Sequence, residues 1–351
     1  MRRLGQQPRA VCSLGLAARV PPRAAASGLC QRQSAAPLGS IASTSSVRKF
    51  RRRWFDLRDQ GGVRHSALEW TGPPEAPLVL FLHATSFCAG SWVPVVKRLS
   101  KQVHAVAVDL RAHGDTDAPA LGSSAYHWEE FGRDFQRLAA RIAAEHGRPI
   151  DACVTHSFIG DCALMALAEA SAPRADVKRM VLLDPVLADE EGATTGAQRL
   201  AKGTRRVGER EAQGFDSAAA VGEALEKLLR VPLHPEAKAA LGEFGAFSDD
   251  AGRWRLKCRR DNEAEIYANR VAIAEHLEGH RVNAEVKLVF SSRRRAKPED
   301  QEASFVRDLQ VAERVVARCG SGSAVEVLDG VGHFLVLEDP DLVAGTLDAL
   351  L

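Results

Sequence analysis

Apolar residues along this chain fall into short continuous runs, separated by longer stretches whose apolar positions repeat with helical spacing. Residues 78–82 (Leu-Val-Leu-Phe-Leu) and 103–108 are such runs, as a strand covered on both faces of a sheet requires. Between them 92–99 reads as a helix, and 129–146 repeats that spacing. A further strand follows at 152–154, a helix at 160–170 and a strand at 180–183. Ahead of this series, 52–57 and 63–70 read as two strands joined at Gly61-Gly62, and Gly72-Pro73-Pro74 makes a turn. Strands alternating with helices imply right-handed crossovers and a mostly parallel sheet. The alternation stops at Leu187. From there to about His280 the pattern is charged, helical and broken by glycines. It resumes with a strand at 286–290, a helix at 302–318, a strand at 325–328 and a helix at 342–351. The expected architecture is an α/β sheet interrupted by a mostly helical insertion.

At 351 residues, the chain can hold one large core and an inserted lobe. A net charge of +2 argues against a general nucleic-acid binder. The charge is uneven, however. No Asp or Glu precedes Asp56, whereas Arg2, Arg3, Arg9, Arg19, Arg23, Arg32, Arg48 and Lys49 do, in a stretch rich in Ala and Ser. Arginine and serine without acids make the signature of an organelle transit peptide, mitochondrial before plastid, with a disordered basic tail as the alternative. Residues 1–48 are therefore set apart. The expected organisation is a first part of the core over 49–186, a helical cap over 187–283 and a second part of the core over 284–351. The seven cysteines are scattered, with no C-x-x-C pair, and read as reduced thiols, not as a disulfide framework or zinc site. No apolar stretch approaches the roughly 18 residues needed to span a bilayer. A small-molecule substrate is expected, with no cofactor, no metal and no stable membrane span.

Functional residues of an open parallel sheet gather beyond the carboxyl ends of its strands. Ser157 falls there, in Val154-Thr155-His156-Ser157-Phe158-Ile159-Gly160, between a strand and an alanine-rich helix. A serine on a sharp strand-to-helix turn projects its hydroxyl from the sheet edge, and the helix start offers N–H groups to a developing oxyanion. The turn departs from G-x-S-x-G, because Thr155 and Ile159 stand at the glycine places. A plain helix N-cap is the competing reading of Ser157. Also at carboxyl ends are His83-Ala84-Thr85-Ser86, Asp109 to Gly114, Asp184-Pro185 and Gly332-His333-Phe334.

With these motifs in this order, the chain resembles the α/β-hydrolase superfamily over roughly 52–351. D-L-R-A-H-G-D-T, from Asp109 to Thr116, looks like that superfamily's D-x-R-G-H-G-x-S turn. His83-Ala84 looks like its His-Gly motif. Gly332-His333-Phe334 with Glu338-Asp339-Pro340 looks like its catalytic-histidine segment. Leu256-Lys257-Cys258, followed by Glu263-Ala264-Glu265-Ile266-Tyr267, looks like a lid segment of one branch. The resemblance implies the α/β-hydrolase fold: a mostly parallel central sheet flanked by helices, with a helical cap inserted after the sixth strand. It also implies Ser157 as nucleophile, His333 as its base, and the N–H groups of Thr85 and Phe158 as oxyanion hole. Removing one such donor costs about 3 kcal/mol of barrier.

The acid is harder to place. Its usual home in this fold is the loop after Phe290, which here reads Ser291-Ser292-Arg293-Arg294-Arg295. Glu299 and Asp300 lie further on. Asp184 is preferred, since some members of the superfamily carry the acid at the end of the preceding strand. The activity implied is cleavage of an ester, thioester or related acyl bond. A C–C hydrolase or lyase on the same fold is one alternative, and a catalytically degenerate ligand-binding protein is another. Phe87 and Trp128 are candidate substrate contacts if they are not simply wall or core. His83, Asp109, Arg111 and His113 read as braces of their turns, and His156 as packing beneath the elbow. His65, His104, His276 and His280 show no functional pattern.

Overall fold

The computed structural model describes residues 49–169, 176–187, 190, 192–293 and 301–351. The transit-peptide stretch 1–48 and the alternative acids Glu299 and Asp300 lie outside the described residues, as do Arg294 and Arg295.

Strands β1 (Arg51–Asp56) and β2 (Arg64–Trp70) pair antiparallel, and the chain turns between them through Gly61 in the left-handed region, with φ 76°. Then come β3 (Leu78–Leu82), α1 (Val93–Arg98), β4 (His104–Val108), α2 (Trp128–His146), β5 (Ile150–His156), α3 (Phe158–Ala168) and β6 (Val177–Leu183). After an intervening segment, the core continues with the strand Glu285–Ser291 and ends at Leu351. That segment carries α4 (Ala197–Glu211), α5 (Ala218–Leu229), α6 (Pro235–Gly245), β7 (Ala246–Ser248), β8 (Trp254–Leu256), α7 (Arg260–Ala268) and α8 (Ile273–His276). It is mostly helical and also contains an antiparallel ribbon of β7 and β8. Three-residue strands are too short to show an alternating pattern. The core's second part is β9 (Glu285–Ser291), α9 (Gln301–Val316), β10 (Ala324–Leu328), α10 (Leu335–Glu338) and α11 (Pro340–Leu350).

Among the described residues the central sheet has eight strands, in the order β1-β2-β4-β3-β5-β6-β9-β10. From β4 to β10 every pairing is parallel. Strand β3 shows why its run is unbroken. Leu78, Leu80 and Leu82 pack into one apolar layer, with Phe131, Phe135 and Leu138 of α2 and Leu164 of α3. Val79 and Phe81 point into the opposite layer, with Trp92, Val96, Val343 and Leu347. Each such fully buried side chain contributes about 1.5–3 kcal/mol of transfer free energy. A third cluster joins Phe87 and Phe334 of the core to Val221, Leu225 and Leu241 of the intervening segment. Among the described residues no helix is long and apolar enough to cross a membrane.

Candidate active site

Strand β5 ends at His156, and α3 begins at Phe158, leaving Ser157 to make the whole change of direction. It does so at φ 65°, ψ −140°, a conformation that costs about 1–3 kcal/mol for a residue with a side chain. Its N–H donates to Leu183 O at 3.0 Å, and its carbonyl accepts from Gly160 N at 3.0 Å. The atypical Thr155 and Ile159 fit this elbow. Ile159 is fully buried in the apolar layer beneath. The need for a small residue falls instead on Gly160. A Cβ there would lie 2.9 Å from Thr155 Oγ1 and 3.0–3.1 Å from Leu182.

The structure brings Ser157, His333 and Asp184 together. Ser157 Oγ lies 3.1 Å from His333 Nε2, and His333 Nδ1 lies 2.6 Å from Asp184 Oδ2. Asp184 directly follows β6, the neighbour of the nucleophile's strand. Its other oxygen, Oδ1, accepts from the N–H and hydroxyl of Ser291, at 2.8 and 2.9 Å. With Nδ1–H donating to the carboxylate, the imidazole presents Nε2 to Ser157 as an acceptor. The loop carrying Asp184 turns through two residues with positive φ, Asp184 at 44° and Leu187 at 41°. Asp161, one turn into α3, accepts Leu187 N–H at 3.0 Å and anchors that loop. Burial pushes the Asp161 carboxyl up to about 7.

His333 is itself held from two sides. Glu338 accepts the N–H groups of Gly332 and Phe334, each at 3.2 Å. His156 does more than pack beneath the elbow, because its Nε2–H donates to His333 O at 2.7 Å. Burial and the neighbouring His333 push the His156 basicity down to about 3, so it remains a neutral donor at ordinary pH. Arg293, in the loop after Phe290, is paired with Glu338. Nothing in the sequence pattern pointed to Ser291 or Asp161. Glu338 was visible only as part of the histidine segment.

The remaining histidine motifs brace loops. His83 donates from Nδ1 to Ala84 O at 2.8 Å and accepts Leu110 N–H at 3.0 Å. His113 donates to Arg111 O and accepts Ser86 N–H at 3.1 Å, and burial holds it neutral, with its pKa lowered to about 4. Asp109 accepts the N–H groups of Ala89 and Asp115, at 2.7 and 3.1 Å. Gly114, at φ 51°, is required beside it, since a Cβ there would lie 2.1 Å from Asp109 Cγ. Arg111 pairs with buried Asp134 at 2.7 Å.

Ser157, His333 and Asp184 line a single cavity of about 680 Å³, together with Thr85 and Phe158. Phe158 opens α3, where a backbone N–H has no acceptor within the helix. Phe87 and Trp128 line the cavity too, and both are tied into its frame. Phe87 packs edge-on against Phe334 with ring centroids 5.9 Å apart, and Trp128 Nε1–H donates to Ile266 O at 2.9 Å. The segment between β6 and β9 supplies an apolar side with Val207, Leu225 and Leu229, and a charged pair, Arg260 and Glu263, 2.6 Å apart.

A doubly covered, mostly parallel sheet with a strained serine at the end of its fifth strand defines an α/β-hydrolase architecture. The sequence matches the alpha/beta hydrolase family over residues 79–346, and the chain belongs to that family. Comparison with curated proteins gives no match. Among solved structures it is similar to E-2-(acetamidomethylene)succinate hydrolase, with 21% identity, 86% of this chain and 98% of that one covered, and a TM-score of 0.66. It is similar also to a thioesterase domain from the curacin biosynthetic pathway, with 18% identity, 86% and 98% covered, and a TM-score of 0.61. An esterase of M. tuberculosis gives 18% identity, 88% and 95% covered, and a TM-score of 0.60. At these identities the likeness speaks to the fold.

Proposed function

We propose that the chain is a serine hydrolase that cleaves an ester, thioester or related acyl bond. The observation that carries this reading is the continuous hydrogen-bonded line from Ser157 Oγ through His333 to Asp184, at 3.1 and 2.6 Å. A neutral hydroxyl is a poor nucleophile. In this reading His333 Nε2 takes the Ser157 proton as Oγ attacks the acyl carbon, and Asp184 stabilises the resulting imidazolium. The N–H groups of Phe158 and Thr85 hold the oxyanion of the tetrahedral intermediate. Its collapse breaks the bond to the leaving group, which receives the proton from His333. Water then repeats the sequence on the acyl-enzyme, with His333 again as base, and releases the acid product.

The apolar side supplied by Val207, Leu225 and Leu229 supports an acyl group selected by shape and apolar contact. In this role the segment between β6 and β9 acts as a lid. A fluorophosphonate probe tests the reading: it labels the wild type, and Ser157→Ala abolishes the label. A folded wild type that takes no label would favour a ligand-binding protein. Turnover of p-nitrophenyl esters of increasing acyl length then defines the substrate range. We further propose that 1–48 directs the chain to an organelle, the mitochondrion before the plastid. Imaging a fluorescent fusion to these residues tests this, and a diffuse signal would reject it.

A further inference from the structure

Beyond the serine site, the structure assembles one cluster of metal-ligating side chains among the described residues, at the opposite end of the strands. Glu69 of β2, His104 at the start of β4 and His146 at the end of α2 place one potential ligand atom each within 4.8 Å of the others. Their arrangement is convergent. Glu69 Oε1 lies 2.8 Å from His104 Nε2 and 3.6 Å from His146 Nε2, and the two rings stand nearly perpendicular with centroids 4.4 Å apart. Both imidazoles therefore turn the same nitrogen towards the same oxygen. Ligands about 2.0–2.1 Å from a tetrahedral zinc are separated from one another by about 3.3 Å; the Glu69–His146 spacing is near that value, and the Glu69–His104 spacing is that of a hydrogen bond, which a bound ion would replace.

The environment also suits ligation. Glu69 and His104 are buried, and His146 is half-buried, which leaves a route for an ion to enter. Arg51 and Arg53 both donate to Glu69 Oε2, at 2.8 Å, leaving Oε1 facing the rings. Hydrogen bonds to the non-ligating oxygen orient a carboxylate for a metal. Their positive charge opposes a divalent ion, but Arg53 is offset by Glu145 at 2.6 Å. Two imidazoles and a carboxylate suit zinc and its borderline neighbours better than calcium or magnesium.

We propose that Glu69, His104 and His146 form a binding site for a divalent transition ion, zinc foremost, with water as fourth ligand. Bound there, the ion would tie β2 and β4 to the end of α2. The site is remote from Ser157 and takes no part in acyl chemistry, so the inference does not depend on that reading.

The test is titration of the chelator-treated full chain with Zn2+ by calorimetry, with Co2+ absorption as a second readout. Close to one equivalent is expected to bind. Affinity should fall at least tenfold in His146→Ala and in His104→Gln, and persist in His333→Ala. Zinc at about 100 times its dissociation constant should raise Tm by roughly 3–5 °C in the wild type and not in His146→Ala. Absence of stoichiometric binding in the wild type would overturn the proposal, as would binding unchanged in His146→Ala. His146 is half-buried at a helix end, so its variant keeps the test decisive if His104→Gln does not fold.

Discussion

Asp184→Asn separates a structural carboxylate from one that serves the histidine. Oδ2 accepts His333 Nδ1–H, while Oδ1 accepts two donors from Ser291. An asparagine can satisfy only one side. If its oxygen faces Ser291, its NH2 meets His333 Nδ1 and forces the tautomer whose Nε2 carries a hydrogen and cannot take the Ser157 proton. If it turns over, its oxygen accepts from His333, but the Ser291 N–H loses its acceptor in a fully buried place, at about 1–3 kcal/mol. In either orientation the negative charge opposite the imidazolium is lost, a charge-assisted bond of about 1.5–3 kcal/mol. The sum, about 2.5–6 kcal/mol, corresponds to a roughly 10²- to 10⁴-fold loss of kcat/KM. The assay is hydrolysis of p-nitrophenyl butyrate, with the rate of fluorophosphonate labelling as a substrate-independent check and near-UV circular dichroism as control for folding. Activity within threefold of wild type in a folded Asp184→Asn would refute the assignment and return the acid to Glu299 or Asp300.

Three further outcomes follow from contacts around the triad. His156→Phe removes the donor to His333 O and should lower kcat about 5- to 30-fold with little change in KM, equivalent to one net hydrogen bond with its carbonyl left unpaired; an unchanged kcat would show that this bond does not position the imidazole. Gly160→Ala should lower stability by about 1–3 kcal/mol through contact with Thr155 Oγ1 and Leu182, and Thr155→Ala added to it should recover part of the loss, as read from denaturant midpoints; purely additive effects would exclude that contact. Asp161, with its carboxyl raised to about 7 by burial, holds a proton in the folded state that the unfolded chain has already released above about pH 4. Its contribution to stability therefore falls as pH rises from about 4 to 7 and is flat above. Asp161→Asn should flatten that part of the pH dependence of Tm, and an identical slope in the variant would contradict it.

How far the sequence disclosed this arrangement follows from where its information is local. The strands of the core were legible because burial on both faces demands unbroken apolar runs such as 78–82. Ser157 and His333 were legible because each sits beside a strand end with recognisable neighbours. The ribbon of β7 and β8 was not, since three residues cannot display a period. Thr155 and Ile159 looked unfavourable because a motif assigns smallness to fixed places. In the folded elbow, the close approach falls at Gly160, one residue later. Ser291 and Asp161 were invisible because their parts are defined by partners 107 and 26 residues away.

The placement of the acid shows how a missing motif residue can be exchanged for a different division of labour. Strand β9 lies beside β6, and Asp184 N–H donates to Val289 O at 2.7 Å, so the two strand ends are locked in register. An acid on either end can reach the histidine. Here the end of β9 carries no carboxylate, but its Ser291 gives two donors to the one that β6 carries. Those donors fix which oxygen faces His333. Arg293, a cation that would oppose an imidazolium, is drawn off by Glu338, and that same carboxylate binds the N–H groups on both sides of His333. Arg293 is thus paired with the group that holds the histidine. Glu338→Gln should therefore harm activity more than removal of Arg293, because it releases both the loop and the guanidinium. Equal kcat/KM for Glu338→Gln and Arg293→Ala would contradict that coupling.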